Sequence, residues 1–132
     1  MQDVGAGEQI DLNFLIEVKP GVFYPPVIYS AALGDAPIMK IIIANRTLEL
    51  NVVDEKTGCN AFWFASLYGR AECMTLLAEA GINILGKHKD TESNALHVAM
   101  ERKHYNIVQM LVQSNYPLDE MKKSKKKPKQ AN

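Results

Sequence analysis

The residues of this 132-residue chain best suited to acid–base, nucleophilic or metal chemistry are three histidines and two cysteines. His97 and His104 are seven positions apart, a spacing that would put both rings on one face of a single helix. A turn predicted between them separates the two rings, and His88 lies in a polar, turn-rich stretch. Cys59 and Cys73 lack the CxxC or HxxxH spacing of a zinc site. Because a chain with this apolar content needs no disulfide and shows no export signal, we expect two reduced thiols in an intracellular protein.

Other catalytic patterns are missing from the sequence. No serine lies in a Gly-x-Ser-x-Gly motif, and no glycine-rich loop precedes a lysine that could bind phosphate. The acidic pairs Asp54-Glu55 and Asp119-Glu120 are better explained as solvent-exposed turns than as acid–base groups. The sequence therefore predicts a protein that is not an enzyme and that binds no cofactor, metal ion or small-molecule substrate.

Composition and hydropathy indicate a single globular domain outside the membrane. Apolar residues make up 47% of the chain and charged residues 23%, close to the averages for globular proteins. No apolar run reaches the roughly 18 residues needed to span a bilayer, and the N-terminus lacks the features of an export signal. We therefore expect no membrane insertion and an intracellular location, cytoplasmic or nuclear.

A repeat of 34 to 35 residues organises the middle of the chain. A shift of 34 lays residues 60–65 onto residues 94–99, and a shift of 35 lays Gly34 onto Gly69. Within each copy, apolar residues recur at helical spacing in two short segments, and polar stretches rich in turn formers separate the copies. The pattern predicts three helix pairs between about residues 25 and 119.

The three copies resemble the ankyrin repeat, most closely in the third copy, through the motif Asn94-Ala95-Leu96-His97-Val98-Ala99 and then His104 and Ile107-Val108-Gln109-Met110-Leu111. The resemblance implies that the His97 imidazole hydrogen-bonds backbone between neighbouring repeats, which is a structural role. The chain also departs from the family pattern, because Asn-Ala replaces Thr-Pro twice and Trp63 stands at the histidine position. Lys103 and Asn115 stand where the family has glycines.

The fold implied by this resemblance is an all-α solenoid of about three helix-turn-helix repeats, near residues 25–50, 51–84 and 85–119. We expect residues 1–24 to form a short N-terminal cap outside the repeats and residues 120–132 to be a disordered lysine-rich tail. Alternating apolar residues predict a first strand within the cap, carried by Leu12, Phe14, Ile16 and Val18. Pro20-Gly21 signals a turn, after which residues 22–24 can return as the second strand of a hairpin.

The resemblance also implies where a partner would bind. In ankyrin domains, the residues that end the first helix point into a concave face, and here these are Leu33, Leu67, Tyr68, Glu101 and Arg102. The connector tips add Glu55, Lys56, Lys87 and Lys89. An apolar stripe with a charged end suits a protein partner, although Leu67 and Tyr68 can also be interpreted as packing under neighbouring connectors. The sequence thus predicts a non-catalytic protein–protein interaction module, an adaptor or a small structural subunit of a larger assembly.

The C-terminal residues support an alternative function. Residues 1–121 carry nine basic and fifteen acidic residues, a net charge of −6, while the last eleven residues carry six lysines and no acid. These lysines are Lys122, Lys123, Lys125, Lys126, Lys127 and Lys129. They are compatible with a nuclear import signal, with contacts to nucleic acid or another polyanion, or with a purely solubilising tail.

The third copy raises the question of what covers its outer side. Three repeats are near the lower limit for a stable solenoid, because each repeat completes its core against its neighbours. We expect an uncovered apolar side formed by Leu96, Met100, Ile107 and Leu111. Three explanations stay open: the exposed side is tolerated, a partner protein covers it, or the chain is a piece of a longer repeat array. We favour a partner protein, in which case the isolated chain should melt at low temperature or self-associate through the last repeat.

Overall fold

The computed structural model describes residues 9–117 and contains six helices packed in pairs behind a small hairpin. The first helices of the pairs are α1 (Pro26–Leu33), α3 (Ala61–Leu67) and α5 (Ala95–Glu101). The second helices are α2 (Ala36–Ile43), α4 (Ala71–Glu79) and α6 (Tyr105–Gln113). The predicted solenoid of about three helix pairs with a short hairpin at its N-terminal end is therefore confirmed.

Side-chain caps start three of the six helices. The Asn60 carboxamide oxygen accepts from Trp63 N at 3.2 Å, and that of Asn94 accepts from His97 N at 2.9 Å. His97 Nδ1 in turn accepts from Asn94 N at 2.9 Å, which completes a capping box. Asp35 Oδ1 accepts from Ile38 N in the same way at the start of α2. The asparagines of the two Asn-Ala pairs are thus helix caps.

Residues with positive φ angles end the first helix of every pair. The φ angle is 76° at Gly34, 75° at Gly69 and 61° at Lys103. Gly81 and Asn115 have φ angles of 93° and 62° after α4 and α6. Glycine adopts this left-handed conformation without a steric cost, whereas the side chain of a lysine adds a steric cost at the same φ angle. The repeat shifts predict that Gly34, Gly69 and Lys103 are equivalent and that Gly81 and Asn115 are equivalent. The backbone φ angles confirm both sets.

The core is one continuous cluster that runs through all three helix pairs. Helix α1 packs on α3 and α3 packs on α5, while α2 packs on α4. Met39, Met74 and Leu77 are fully buried between these layers. Polar bonds also cross between pairs, since the buried Ser66 hydroxyl donates to Ala95 O at 2.7 Å. No helix within residues 9–117 is long and apolar enough to cross a membrane.

The N-terminal hairpin consists of β1 (Ile16–Lys19) and β2 (Val22–Tyr24), which pair in antiparallel fashion with Ile16 opposite Tyr24. Gly21 N donates to the Glu17 carboxylate at 3.1 Å and closes the predicted turn. The predicted first strand is too long, because Leu12 and Phe14 precede β1 and Phe14 is exposed. Within β1, Ile16 and Val18 turn toward the protein, as the alternation predicts, and Leu12 before the strand is half-buried against the core as well.

Residues 9–13 are held by bonds that repeat further along the chain. The Asn13 carboxamide oxygen accepts from Glu49 N at 2.8 Å, and that of Asn51 accepts from Asn83 N at 2.7 Å. The Ile10 carbonyl accepts from the Asn45 side chain at 3.2 Å. Residues 9–13 therefore take the place that the end of a repeat takes against the following one.

The expectation of an uncovered side on the third copy is wrong for three of its four residues. Leu96, Ile107 and Leu111 are buried, and Met100 alone among the four is exposed. The cover comes from α3 and from the segment after α6, where Tyr116 is buried and its hydroxyl donates to Ile84 O at 2.7 Å.

Candidate interaction surface

Three equivalent residues line up where the first helices end. Leu33 ends α1, while Tyr68 and Arg102 are the C-cap residues of α3 and α5. Because α1, α3 and α5 pack side by side, these positions form a row, which we call the first-helix row. Leu33 is 52% and Tyr68 42% exposed, large values for an aliphatic and an aromatic side chain, and Arg102 is exposed as well.

Leu67 differs from its predicted companions in the row. It is half-buried and packs against the core cluster. It also lines a groove of about 160 Å³ between α3, α5 and the connector that precedes α5, together with Trp63, His88, Val98, Glu101 and Arg102. The structure thus brings Leu67, Glu101 and Arg102 into one groove.

The predicted connector residues have different surroundings. Lys89 Nζ donates to Glu55 O at 2.7 Å, and Lys89 N donates to Thr57 O at 2.8 Å, so this lysine joins two connector tips. Lys56 is exposed, whereas Lys87 is half-buried. Of these residues, Glu55 and Lys56 border a second cleft, which is larger than the groove beside Leu67.

This cleft, of about 520 Å³, lies between the N-terminal hairpin and the first connector. Leu15, Phe23 and Val53 line it and are exposed, yet the sequence analysis did not single them out. A signal for Phe23 was available, because Val22 and Tyr24 turn inward and the residue between two inward strand residues faces outward. No comparable pattern marks Leu15 or Val53, whose exposure depends on how the hairpin meets the connector.

Tyr24, which lies between the cleft and the first-helix row, is uncharged near neutral pH. Burial raises the pKa of the Tyr24 phenol above its ordinary value, and negative charge on Tyr68 or Asp54 raises it further. The Tyr24 ring packs on Phe64 with 5.3 Å between centroids. This part of the surface therefore offers aromatic and aliphatic groups to a ligand.

All three histidines are engaged in backbone hydrogen bonds. His97 belongs to the capping box, and His88 Nδ1 accepts from Asp90 N at 3.1 Å. His104 Nε2 lies 3.0 Å from Leu67 O and joins the third pair to the second. Within the described part of the chain, no three His, Cys, Asp or Glu side chains are grouped so that they could hold a metal ion.

Both cysteines are free thiols in the core. Burial raises the pKa of the Cys59 thiol to about 12 and also raises that of Cys73, with the Glu72 carboxylate adding to the shift at Cys73. The thiolate is the reactive form of cysteine. Neither side chain is therefore set up as a nucleophile.

We expect the folded chain to resist alkylation of Cys59 and Cys73 by iodoacetamide at mildly alkaline pH, because both thiols are protonated and buried. The same chain in urea should add two labels within the time that a free cysteine peptide needs. Intact-mass spectrometry counts the labels. Rapid labelling of either residue in the folded chain would contradict this assignment.

The helix pairs, their capped starts and their stacked first helices define a short helical solenoid. The family profile for ankyrin repeats matches residues 14–123, in three copies. The chain therefore belongs to the ankyrin repeat family. Domains of this family are generally protein-interaction modules and are typically non-catalytic. No curated protein sequence matches the chain significantly.

The alternative function rests on residues outside this description. Lys122, Lys123, Lys125, Lys126, Lys127 and Lys129 all lie beyond Pro117, where the described residues end. A nuclear import signal, a polyanion contact and a solubilising tail therefore all stay predictions.

Proposed function

We propose that this chain is a non-catalytic module that binds a protein partner along the first-helix row, as an adaptor or as a small subunit of a larger assembly. The observation that carries the proposal is the exposure of Leu33 and Tyr68 at equivalent positions of consecutive repeats, with Arg102 at the third. Apolar and aromatic anchors beside a charged rim are typical of the residues that dominate binding energy at protein interfaces.

The neighbouring surface supports an elongated ligand. The cleft with Phe23 and Val53 adds apolar area at one end of the row, and the groove with Leu67 and Arg102 adds a cationic group at the other. A partner segment that lies along the row would meet apolar residues first and charged residues last. Lys56 and Glu55 at the cleft, Lys89 bonded to Glu55 at the adjoining connector tip, and Lys87 and Glu101 toward the third repeat would surround this segment.

The proposed setting is the inside of the cell. Cys59 and Cys73 are unpaired, which supports a reducing compartment, where disulfides are rare. The solenoid's own stability does not depend on a covalent link between its repeats.

The test replaces the exposed anchors and measures partner capture. The double variant Leu33→Ser/Tyr68→Ser is expected to reduce the enrichment of specific partners in affinity capture at least tenfold, because truncating an interface anchor commonly costs more than 1 kcal/mol. Both side chains are substantially exposed, so the variant should keep the far-UV circular dichroism of the parent chain. Quantitative mass spectrometry of the captured proteins provides the measurement.

Tyr105→Ser is the matched control. Tyr105 is an exposed tyrosine at the start of α6, away from the first-helix row, so its loss should leave capture unchanged. If the double variant captures the same partners as the parent chain, the row is not the binding surface. Equal losses in both variants would point to a general effect of removing surface tyrosines and would also contradict the assignment.

A further inference from the structure

Arg70 and His104 make the same contact between neighbouring repeats. Arg70 Nε donates to Ala32 O at 2.9 Å, and His104 Nε2 lies 3.0 Å from Leu67 O. A shift of 34 residues places Arg70 on His104, and each residue directly precedes the second helix of its pair. Each side chain therefore reaches back to a carbonyl near the end of the first helix of the preceding pair.

The Arg70 side chain is held in place along most of its length. Its backbone N–H donates to Ala65 O at 2.8 Å, and its carbonyl accepts from Met74 N at 3.1 Å. A Cβ atom at Gly34 would lie 2.7 Å from Arg70 Cδ, so the aliphatic part of the side chain passes directly against that glycine. The guanidinium group thus has a fixed position, which lowers the entropy that is lost when it binds a ligand.

The outer end of this guanidinium group is available to a ligand. Arg70 is exposed, and the bond from Nε to Ala32 O is the one hydrogen bond or ion pair of its side chain among the residues that the structure describes. Nη1 and Nη2 therefore keep N–H donors that point in parallel. His104 differs, because an imidazole has a single ring nitrogen left after the bond to Leu67 O.

The Arg70 guanidinium lies next to the first-helix row. Ala32, whose carbonyl it binds, precedes Leu33 in α1, and Tyr68 is two residues before Arg70 in the chain. The two apolar anchors of the row are thus carried by the two chain segments that Arg70 joins. A cationic group is therefore present at this end of the row, in addition to Arg102 at the other end.

We propose, on the basis of the function proposed above for this row, that the partner segment carries an aspartate or glutamate side chain that binds the Arg70 guanidinium, with apolar side chains on Leu33 and Tyr68. A carboxylate places one oxygen on each of two parallel N–H donors. Such charge-assisted pairs are stronger than hydrogen bonds between neutral groups.

Acidic groups of the chain itself limit the charge that this position accepts. The Asp35 and Glu72 carboxylates and the Arg70 guanidinium all act electrostatically on the Cys73 thiol, so they lie in one neighbourhood. The two carboxylates repel a bound anion, and this repulsion grows with the charge of the anion. A carboxylate with a single charge is therefore favoured over a more highly charged phosphate group.

Selection from a display library of random short peptides tests this assignment. Peptides selected on the parent chain should share one acidic position flanked by apolar residues. A synthetic peptide from this set should bind about tenfold less tightly when its acid is changed to the matching amide, glutamate to glutamine or aspartate to asparagine. Fluorescence anisotropy of the labelled peptides measures the affinities, and added salt should weaken the binding of the acidic peptide.

Arg70→His is the matched variant, because a histidine at this position can make the bond that His104 makes in the next repeat while the guanidinium is lost. At about pH 8, where an imidazole is uncharged, this variant should keep the circular dichroism of the parent chain and bind the acidic and amide peptides equally. Arg46→His makes the same change at an exposed arginine after α2, at the opposite end of the helix pair from Leu33, and should bind like the parent chain.

Two variants separate a failure of this assignment from a failure of the row itself. If Leu33→Ser/Tyr68→Ser loses the peptides but the parent chain binds the amide peptide as tightly as the acidic one, the row binds a partner and the assignment of Arg70 is wrong. That assignment is also wrong if the parent chain selects no peptide, if the change from acid to amide weakens binding to Arg70→His equally, or if phosphoserine in place of the acid binds more tightly. Acidic peptides that bind both variants like the parent chain would contradict the assignment and the row as the binding surface.

Discussion

Replacing Trp63 with alanine is expected to lower the free energy of unfolding by about 3–5 kcal/mol, the range for truncating a buried tryptophan. The Trp63 ring is buried, packs edge-on against Phe64 at 5.4 Å and lies 5.7 Å from the His88 ring. Its indole nitrogen donates to Ser93 O at 3.0 Å. The side chain therefore joins the second helix pair to the connector of the third, and urea denaturation followed by circular dichroism measures its loss.

Trp63→Phe is the matched control. Phenylalanine keeps most of the buried ring and loses the indole donor, so we expect a smaller loss of about 1–2 kcal/mol. Because each repeat is stabilised by its neighbours, amide exchange in α5 and α6 should rise more than in α1 and α2. Equal losses in the two variants, or uniform exchange across all three pairs, would contradict this role of Trp63.

The local features of this fold could be predicted from the sequence because short-range chemistry decides them. Helix starts depend on a capping side chain whose oxygen accepts from the backbone N–H three residues later, as at Asn60 and Asn94. Helix ends depend on residues that adopt positive φ angles, as at Gly34 and Gly69. The repeat shift identifies both kinds of position, since it aligns residues that begin or end equivalent helices.

The surface could be predicted only in part, because exposure depends on which elements meet. Leu96, Ile107 and Leu111 have the pattern of an outer face, yet contacts with α3 and the chain after α6 bury them. Leu15 and Val53 are apolar residues in connecting segments, and the hairpin's position leaves them at the edge of a cleft. Packing over 30 or more residues of sequence separation decides these outcomes, and a local pattern contains no information on it.

The first-helix row could be predicted from the sequence in its positions but not in the exposure of its side chains. Equivalence by the 34- and 35-residue shifts places Leu33, Tyr68 and Arg102 at corresponding positions without any structure. Whether a side chain at such a position points outward or inward is a tertiary property, as the half-buried Leu67 beside the exposed Tyr68 shows.

Gly69→Ala is expected to destabilise the chain by about 2–4 kcal/mol, more than the same substitution at Gly81. Both glycines have positive φ angles, 75° and 93°, at which a side chain costs about 1–2 kcal/mol. A methyl group at Gly81 would meet nothing within 4 Å, whereas one at Gly69 would lie 3.0 Å from the His104 ring. The ring must then move, and the His104 bond to Leu67 O weakens.

A double-mutant cycle separates the two causes. In a His104→Ala background the added methyl meets no ring, so the cost of Gly69→Ala should fall to that of Gly81→Ala in the parent chain. Chemical denaturation of the four chains of the cycle, with Gly81→Ala alongside, gives the free energies of unfolding. If Gly69→Ala lowers the free energy of unfolding by the same amount with and without His104, backbone strain alone explains why position 69 requires glycine. A cost that depends on His104 means that Gly69 is required for the close approach of two neighbouring repeats.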